Sequence, residues 1–138
     1  MSFYKRIYNV LNHYPLSLIT IAVILYLSLA NISGGSLSKI TNIDKIAHFC
    51  MYAGFCSILW FEYHITHRQT NIKRIILGAI IAPIMFSAII EIAQTTLTKN
   101  RGADWYDLLF NSLGTLFAAL VGVFFIKPLA VRIKRKKS

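Results

Sequence analysis

Long apolar stretches alternate with short polar ones along this chain. Four apolar stretches stand out, over residues 15–32, 45–63, 75–97 and 107–126. Each is close to the ~17–25 mostly apolar residues that a helix needs to cross the hydrocarbon of a bilayer. The ~10-residue alternating segments of a membrane β-barrel are absent. A segment in lipid must satisfy its own backbone hydrogen bonds, which leaves helices. The pattern predicts an all-α integral membrane bundle of four transmembrane helices, in a single domain over residues 1–138.

Finer features refine this outline. Phe3, Ile7, Val10, Leu11 and Tyr14 recur at helical spacing opposite Lys5, Arg6, Asn9 and Asn12. They predict a short N-terminal interfacial helix on the membrane surface. Pro15 suits the first turn of the next helix. Pro83 predicts a kink in the third span, below Glu91. Ser33-Gly34-Gly35-Ser36 reads as a flexible connection. Connections are short, so consecutive helices should be antiparallel neighbours. Gly114-x3-Ala118-x3-Gly122 sets small residues every four positions in the fourth span. Such a stripe allows close approach, either inside the bundle or against a partner.

Composition agrees with a membrane class. Of 138 residues, 56% are hydrophobic and 14% charged, and the mean hydropathy is +0.56. A soluble domain carries roughly 25% charged residues. The net charge of +10 does not point to nucleic acid, because of where it lies. With the amino terminus in the cytoplasm, Lys5, Arg6, Arg68, Lys73, Arg74 and the basic tail Lys127–Lys137 all fall inside. Only Lys39, Lys45, Lys99 and Arg101 fall outside. This asymmetry predicts a multi-pass protein of the cytoplasmic (inner) membrane with both termini cytoplasmic. The tail then meets anionic membrane lipids. The first span has a Ser28-x-Ala30 sequence like a signal cleavage site. Its apolar run is longer than the ~7–15 residues of a signal peptide, so it reads as an uncleaved anchor. Cys50 and Cys56, six apart on one helix, face different directions and imply no disulfide.

Acidic residues sort opposite to the bases. Asp44, Glu91, Asp104 and Asp107 go to the outer side and only Glu62 to the inner side. Acids scarcely influence insertion, so a local role is implied. Glu91 lies ~24 Å along its helix from Ile75 at ~1.5 Å per residue, near the outer edge of ~30 Å of hydrocarbon. A carboxylate there needs a cation or a proton. Asp104, Asp107 and Asn111 fall at i, i+3 and i+7, on one side of a helix. Asp44, Lys45 and His48 open the second span, and Glu91 and Gln94 end the third. Three helix ends thus bring polar groups to one membrane face, with Arg101 just before the fourth.

Each member also has a plain structural role. Asp44, Asp104 and Asp107 can cap helix starts. Lys45, Lys99 and Arg101 can contact headgroups, and His48 can be an interfacial core residue. His13, His64 and His67 read as solvated loop residues. The ligand-binding set is Asp44, Lys45, His48, Glu91, Gln94, Arg101, Asp104, Asp107 and Asn111. Glu91, His48 and Asp107 are the catalytic candidates, Glu91 as a base whose burial favours its neutral form. Dedicated metal spacing is absent, and neither metal nor cofactor is expected. A divalent ion on Asp44, His48, Glu91 and Asp107 is the arrangement the residue types would allow. No ionisable group lies mid-membrane between Glu62 and Glu91, which argues against a proton path.

The order Asp44-Lys45-x2-His48, Glu91-x2-Gln94 and Arg101-x2-Asp104-x2-Asp107-x3-Asn111-x2-Gly114 resembles the VanZ-like membrane protein family. Members often carry Gly or Pro-Gly before the arginine, where this chain has Lys99-Asn100. The resemblance implies a small helical bundle of the bacterial cell envelope, in a family tied to glycopeptide-antibiotic resistance. The polar cluster at the outer face is itself read as an extracytoplasmic site that binds or processes an envelope lipid, a lipid-linked wall precursor or a lipoglycopeptide antibiotic. The alternative is a non-catalytic small subunit or assembly factor of a larger membrane complex, docked through the small-residue stripe and the amphipathic amino terminus.

Overall fold

The structure, a computed structural model, describes residues 2–29, 43–97 and 104–137. Every regular element among them is helical: α1 (Phe3–His13), α2 (Pro15–Leu29), α3 (Ile43–Thr66), α4 (Ile72–Leu97) and α5 (Trp105–Lys136). The Ser33–Ser36 connection and Lys39, Lys99, Asn100 and Arg101 lie outside the described residues.

Local sequence explains the joints. α1 is exposed along its whole length and meets α2 at 88°. Tyr14 leaves helical geometry between them. Pro15 then opens α2, where a missing N–H costs nothing.

α4 and α5 are each long and apolar enough to cross a membrane. The bent pair α1–α2 makes a third candidate if taken as one span. α3 has 24 residues but buries His48, Glu62 and His64 among its aromatics. It tolerates them because it is central and packs against all four other helices. The outer faces of α2, α4 and α5 expose Ile19, Tyr26, Leu77, Met85, Ile89, Leu116, Leu120 and Phe124. Water would not tolerate so continuous an apolar surface; lipid does. The chain is a helical membrane protein.

In lipid, helices gain little hydrophobic energy from each other, so fit and hydrogen bonds hold them together. The glycine stripe supplies the fit. A Cβ on Gly114 would strike the Phe49 carbonyl and stand 3.0 Å from the Ala53 nitrogen. One on Gly122 would enter the Trp60 indole. Ala118, between them, is fully buried. The stripe therefore faces α3 and is used inside the bundle. Ile24, Tyr52, Phe55, Cys56 and Ile90 close around Ala118, and Cys56 Sγ donates to Thr115 Oγ1 at 3.5 Å. Cys50, as its spacing suggests, faces outward. Trp60, Tyr63, Ile75 and Ala79 form a second cluster toward the basic end.

Around Pro83, where a kink is expected, the helix changes its hydrogen-bond spacing. α4 stays continuous, and the Ala82 N–H reaches back five residues to the Leu77 carbonyl. In α5 the Lys127 N–H reaches Gly122 in the same way. In both cases the next residue is a proline, Pro83 or Pro128. Proline lacks the N–H and its ring crowds the carbonyl four residues earlier. One turn of wider π spacing accommodates both defects.

Two readings of the basic end need correction. His64 is buried in the last turns of α3, with ring centroids 5.7 Å from Trp60 and 5.6 Å from Tyr63. It is not a loop residue, because α3 runs on to Thr66. His67 stacks on Tyr63 at 4.4 Å and is half-buried, so of the three only His13 is fully exposed. Glu62, with no role assigned from sequence, caps α2. It accepts from the Leu16 N–H at 2.8 Å, the Ser17 N–H at 3.1 Å and the Ser17 hydroxyl at 2.5 Å. A carboxylate at a helix N-terminus satisfies orphan donors and meets the positive end of the dipole.

Candidate functional site

Gly114 positions the site. The close approach it permits brings α5 against the first half of α3, where His48 precedes Phe49. Asn111, one turn before Thr115, then reaches His48: its Oδ1 accepts from His48 Nδ1 at 3.2 Å. The Asn111 amide donates to Ser87 Oγ of α4 at 2.7 Å. An amide oxygen only accepts, so in this arrangement the imidazole proton sits on Nδ1. Nε2 is left facing two carboxylates, Asp107 Oδ2 at 3.4 Å and Asp44 Oδ1 at 3.9 Å. His48, Ser87, Asp107 and Asn111 are all buried. Burial raises the worth of each bond in such a network and the cost of leaving one unmade.

Asp107 keeps one oxygen in reserve. Its Oδ1 is buried and has no hydrogen-bond partner among the described residues. Asp44, in the first turn of α3, stays exposed at the rim. Asp44, His48 and Asp107 each offer one ligand atom, all within 4.8 Å of one another. Carboxylate and imidazole donors in that arrangement suit a divalent cation, with Asn111 orienting the imidazole from behind. Glu91, included in the sequence-derived set, is not one of these three.

Asp104 and Lys45 form the rim. Asp104 caps α5, its Oδ1 accepting from the Tyr106 N–H at 2.9 Å. Its Oδ2 lies 3.9 Å from Lys45 Nζ. Lys45 also stands 5.6 Å above the Tyr106 ring, a cation–π distance. Of the three helix-spaced residues, Asp107 and Asn111 turn inward and Asp104 turns to the end of the bundle.

Glu91 and Gln94 are buried on α4. Gln94 Nε2 donates to the Ser28 carbonyl of α2 at 2.8 Å, tying α2 to this end. Glu91 lines a cleft of about 140 Å³ with Asp104, Trp105, Ala88, Ile92, Thr95 and Leu108. Tyr52, one turn below His48, brings its buried phenol within electrostatic reach of Ser87 and Glu91. Eight of the nine predicted residues thus gather at one end of the bundle; Arg101 lies outside the described residues.

Sequence reasoning missed Ser87, Tyr52's link to Glu91, and the Ser28 carbonyl. The signal for Ser87 was present: Ser87, Glu91 and Gln94 fall at i, i+4 and i+7, one face of α4.

Neither a curated protein nor a solved structure matches the chain. A family model described as VanZ/LLP1 matches residues 2–126. The motif residues from Asp44 to Gly114 lie within that match, and the chain belongs to the VanZ/LLP1 family.

Proposed function

We propose that this protein crosses the bacterial inner membrane four times, with both termini in the cytoplasm. In this reading the His48–Glu91 end is an extracytoplasmic site for the headgroup of an envelope amphiphile. The amphiphile is an envelope lipid, a lipid-linked wall precursor or a lipid-tailed glycopeptide antibiotic. Charge placement supports the orientation, since Arg68, Lys73, Arg74 and the basic tail fall at the end away from His48. One observation carries the site: at the end of the bundle that holds His48, Asp107 and Asn111, a cleft walled by the apolar surface of Ala88, Ile92, Trp105 and Leu108 has Asp104 at its edge and Glu91 among its lining residues. Such a cleft matches a ligand with a hydrogen-bonding head and an apolar tail. Asp104 accepts from hydroxyl or ammonium donors, the buried Glu91 stands behind the cleft wall, and Lys45 with Arg101 meets a phosphate.

A second reading, processing of such a lipid, draws on the Asp44–His48–Asp107 set. A divalent cation there would polarise a phosphoryl oxygen. The small-subunit alternative loses one of its two docking faces, because the glycine stripe is spent against α3.

The test uses purified protein in lipid nanodiscs. A short-chain prenyl diphosphate, its sugar-linked form and a lipid-tailed glycopeptide are titrated against thermal stability. At least one should stabilise the wild type and fail to stabilise Glu91→Gln and Lys45→Gln. No response from any, or equal responses in all three proteins, would sink the reading. Turnover that depends on added Mn²⁺ or Zn²⁺ would decide for processing over binding.

A further inference from the structure

A second cavity lies at the basic end, away from His48. It measures about 330 Å³, within the ~300–1,000 Å³ range of small-molecule pockets. Leu18, Ile21, Leu59, Ile75 and Ala79 make its wall, and Arg74 stands among its lining residues. Its origin is geometric. α2 and α4 meet chiefly beyond Pro83, where Gln94 bonds the Ser28 carbonyl. Before Pro83 they diverge, and the α1–α2 joint covers the gap from below. The π turn Leu77–Ile81 falls on this stretch, and a Cβ on Gly78 would meet nothing within 4 Å. Arg74 lies one turn before Gly78 on the same face. No carboxylate among the described residues pairs with Arg74. Nearby Tyr14 has its phenol pushed above the usual range by burial, with Tyr63 and Glu62 adding and Arg74 opposing.

We infer that this chamber holds one acyl chain of an anionic phospholipid from the adjoining leaflet, whose phosphate sits on the Arg74 guanidinium. Charge complementarity identifies the occupant. The mouth offers a cation with no carboxylate partner among the described residues, the wall is apolar, and Lys73, Lys127 and Lys134 share this end of the bundle. Guanidinium matches phosphate with two parallel donors. The lipid would wedge α2 and α4 apart below Pro83 and fix the angle at which the amphipathic α1 leaves the bundle. The inference needs only the membrane assignment; it is independent of the His48 site.

Native mass spectrometry of the full chain, released from nanodiscs of equal phosphatidylglycerol and phosphatidylcholine, tests it. Wild type should retain one phosphatidylglycerol. Arg74→Gln should lose about fivefold of the preference for it, the share of one basic residue at a membrane surface. Gly78→Leu, which adds bulk at a lining position where a Cβ meets nothing within 4 Å, should retain no lipid. Glu91→Gln should bind as wild type does. Equal retention of both lipids by wild type, or unchanged phosphatidylglycerol retention in both Arg74→Gln and Gly78→Leu, would overturn the inference.

Discussion

His48 and Asn111 stand 63 positions apart in sequence and meet at 3.2 Å, Nδ1 to Oδ1. Asn111 in turn holds Ser87, so one amide joins α3, α4 and α5 at the level of the candidate site. Asn111→Leu removes it and leaves His48 Nδ1 and Ser87 Oγ buried without it. Such a loss costs about 1–3 kcal/mol. Thermal unfolding in detergent should show a lowered midpoint, and the ligand response should vanish. Asn111→Asp, which can still accept from Nδ1, should keep more of both than Asn111→Leu does.

The glycines separate into two classes. Gly114→Ala must push α5 away from the Phe49 carbonyl, and Gly122→Ala must displace the Trp60 ring. Overpacking of this kind costs roughly 1–3 kcal/mol. Gly54 is also helical, but a Cβ there meets nothing within 4 Å. Gly54→Ala should therefore stabilise by roughly 0.5–1 kcal/mol, through propensity alone. Unfolding midpoints of the three variants check the ordering.

Glu62 should matter for stability and not for the site. Glu62→Ala strands the Leu16 and Ser17 donors and costs about 1–3 kcal/mol. Glu62→Gln keeps an acceptor oxygen and should lose less. Hydrogen exchange should quicken at the Leu16 and Ser17 amides, while ligand binding at the other end stays unchanged.

Asp104 has two partners of unequal worth. As the α5 cap it contributes about 0.5–2 kcal/mol. Its 3.9 Å contact with Lys45 is half exposed and is worth at most about 1 kcal/mol. Asp104→Asn, which still caps, should be near neutral in stability, Asp104→Ala clearly destabilised, and Lys45→Gln almost unchanged. A thermal-shift comparison of the three decides it. Loss of ligand response in Lys45→Gln without loss of stability would mark Lys45 as a binding residue.

How far the sequence could be read depended on the range of each interaction. The amphipathic α1 and the break at Pro15 were legible, because side-chain period and proline geometry are local. Asp107 and Asn111 were legible as one face of α5 for the same reason. The small-residue stripe announced a close contact, but only the fold shows that Phe49 and Trp60 receive it. Pro83 was visible, yet the backbone's answer, a bond from Ala82 back to Leu77, depends on how the whole helix packs. Pro128 meets the same answer and drew no expectation. Glu62 looked idle because its partners lie some 45 residues away, at the start of another helix. His64 looked solvated because the apolar run reads as ending at Tyr63, whereas α3 continues to Thr66.

A density map of the full chain in lipid nanodiscs, fine enough to place side chains, bears most directly on the central claim. It should show His48 bonded to Asn111 and facing Asp107, with Glu91 turned inward beside Trp105. A map with Glu91 turned outward among acyl chains, and His48 separated from both Asn111 and Asp107, would contradict it.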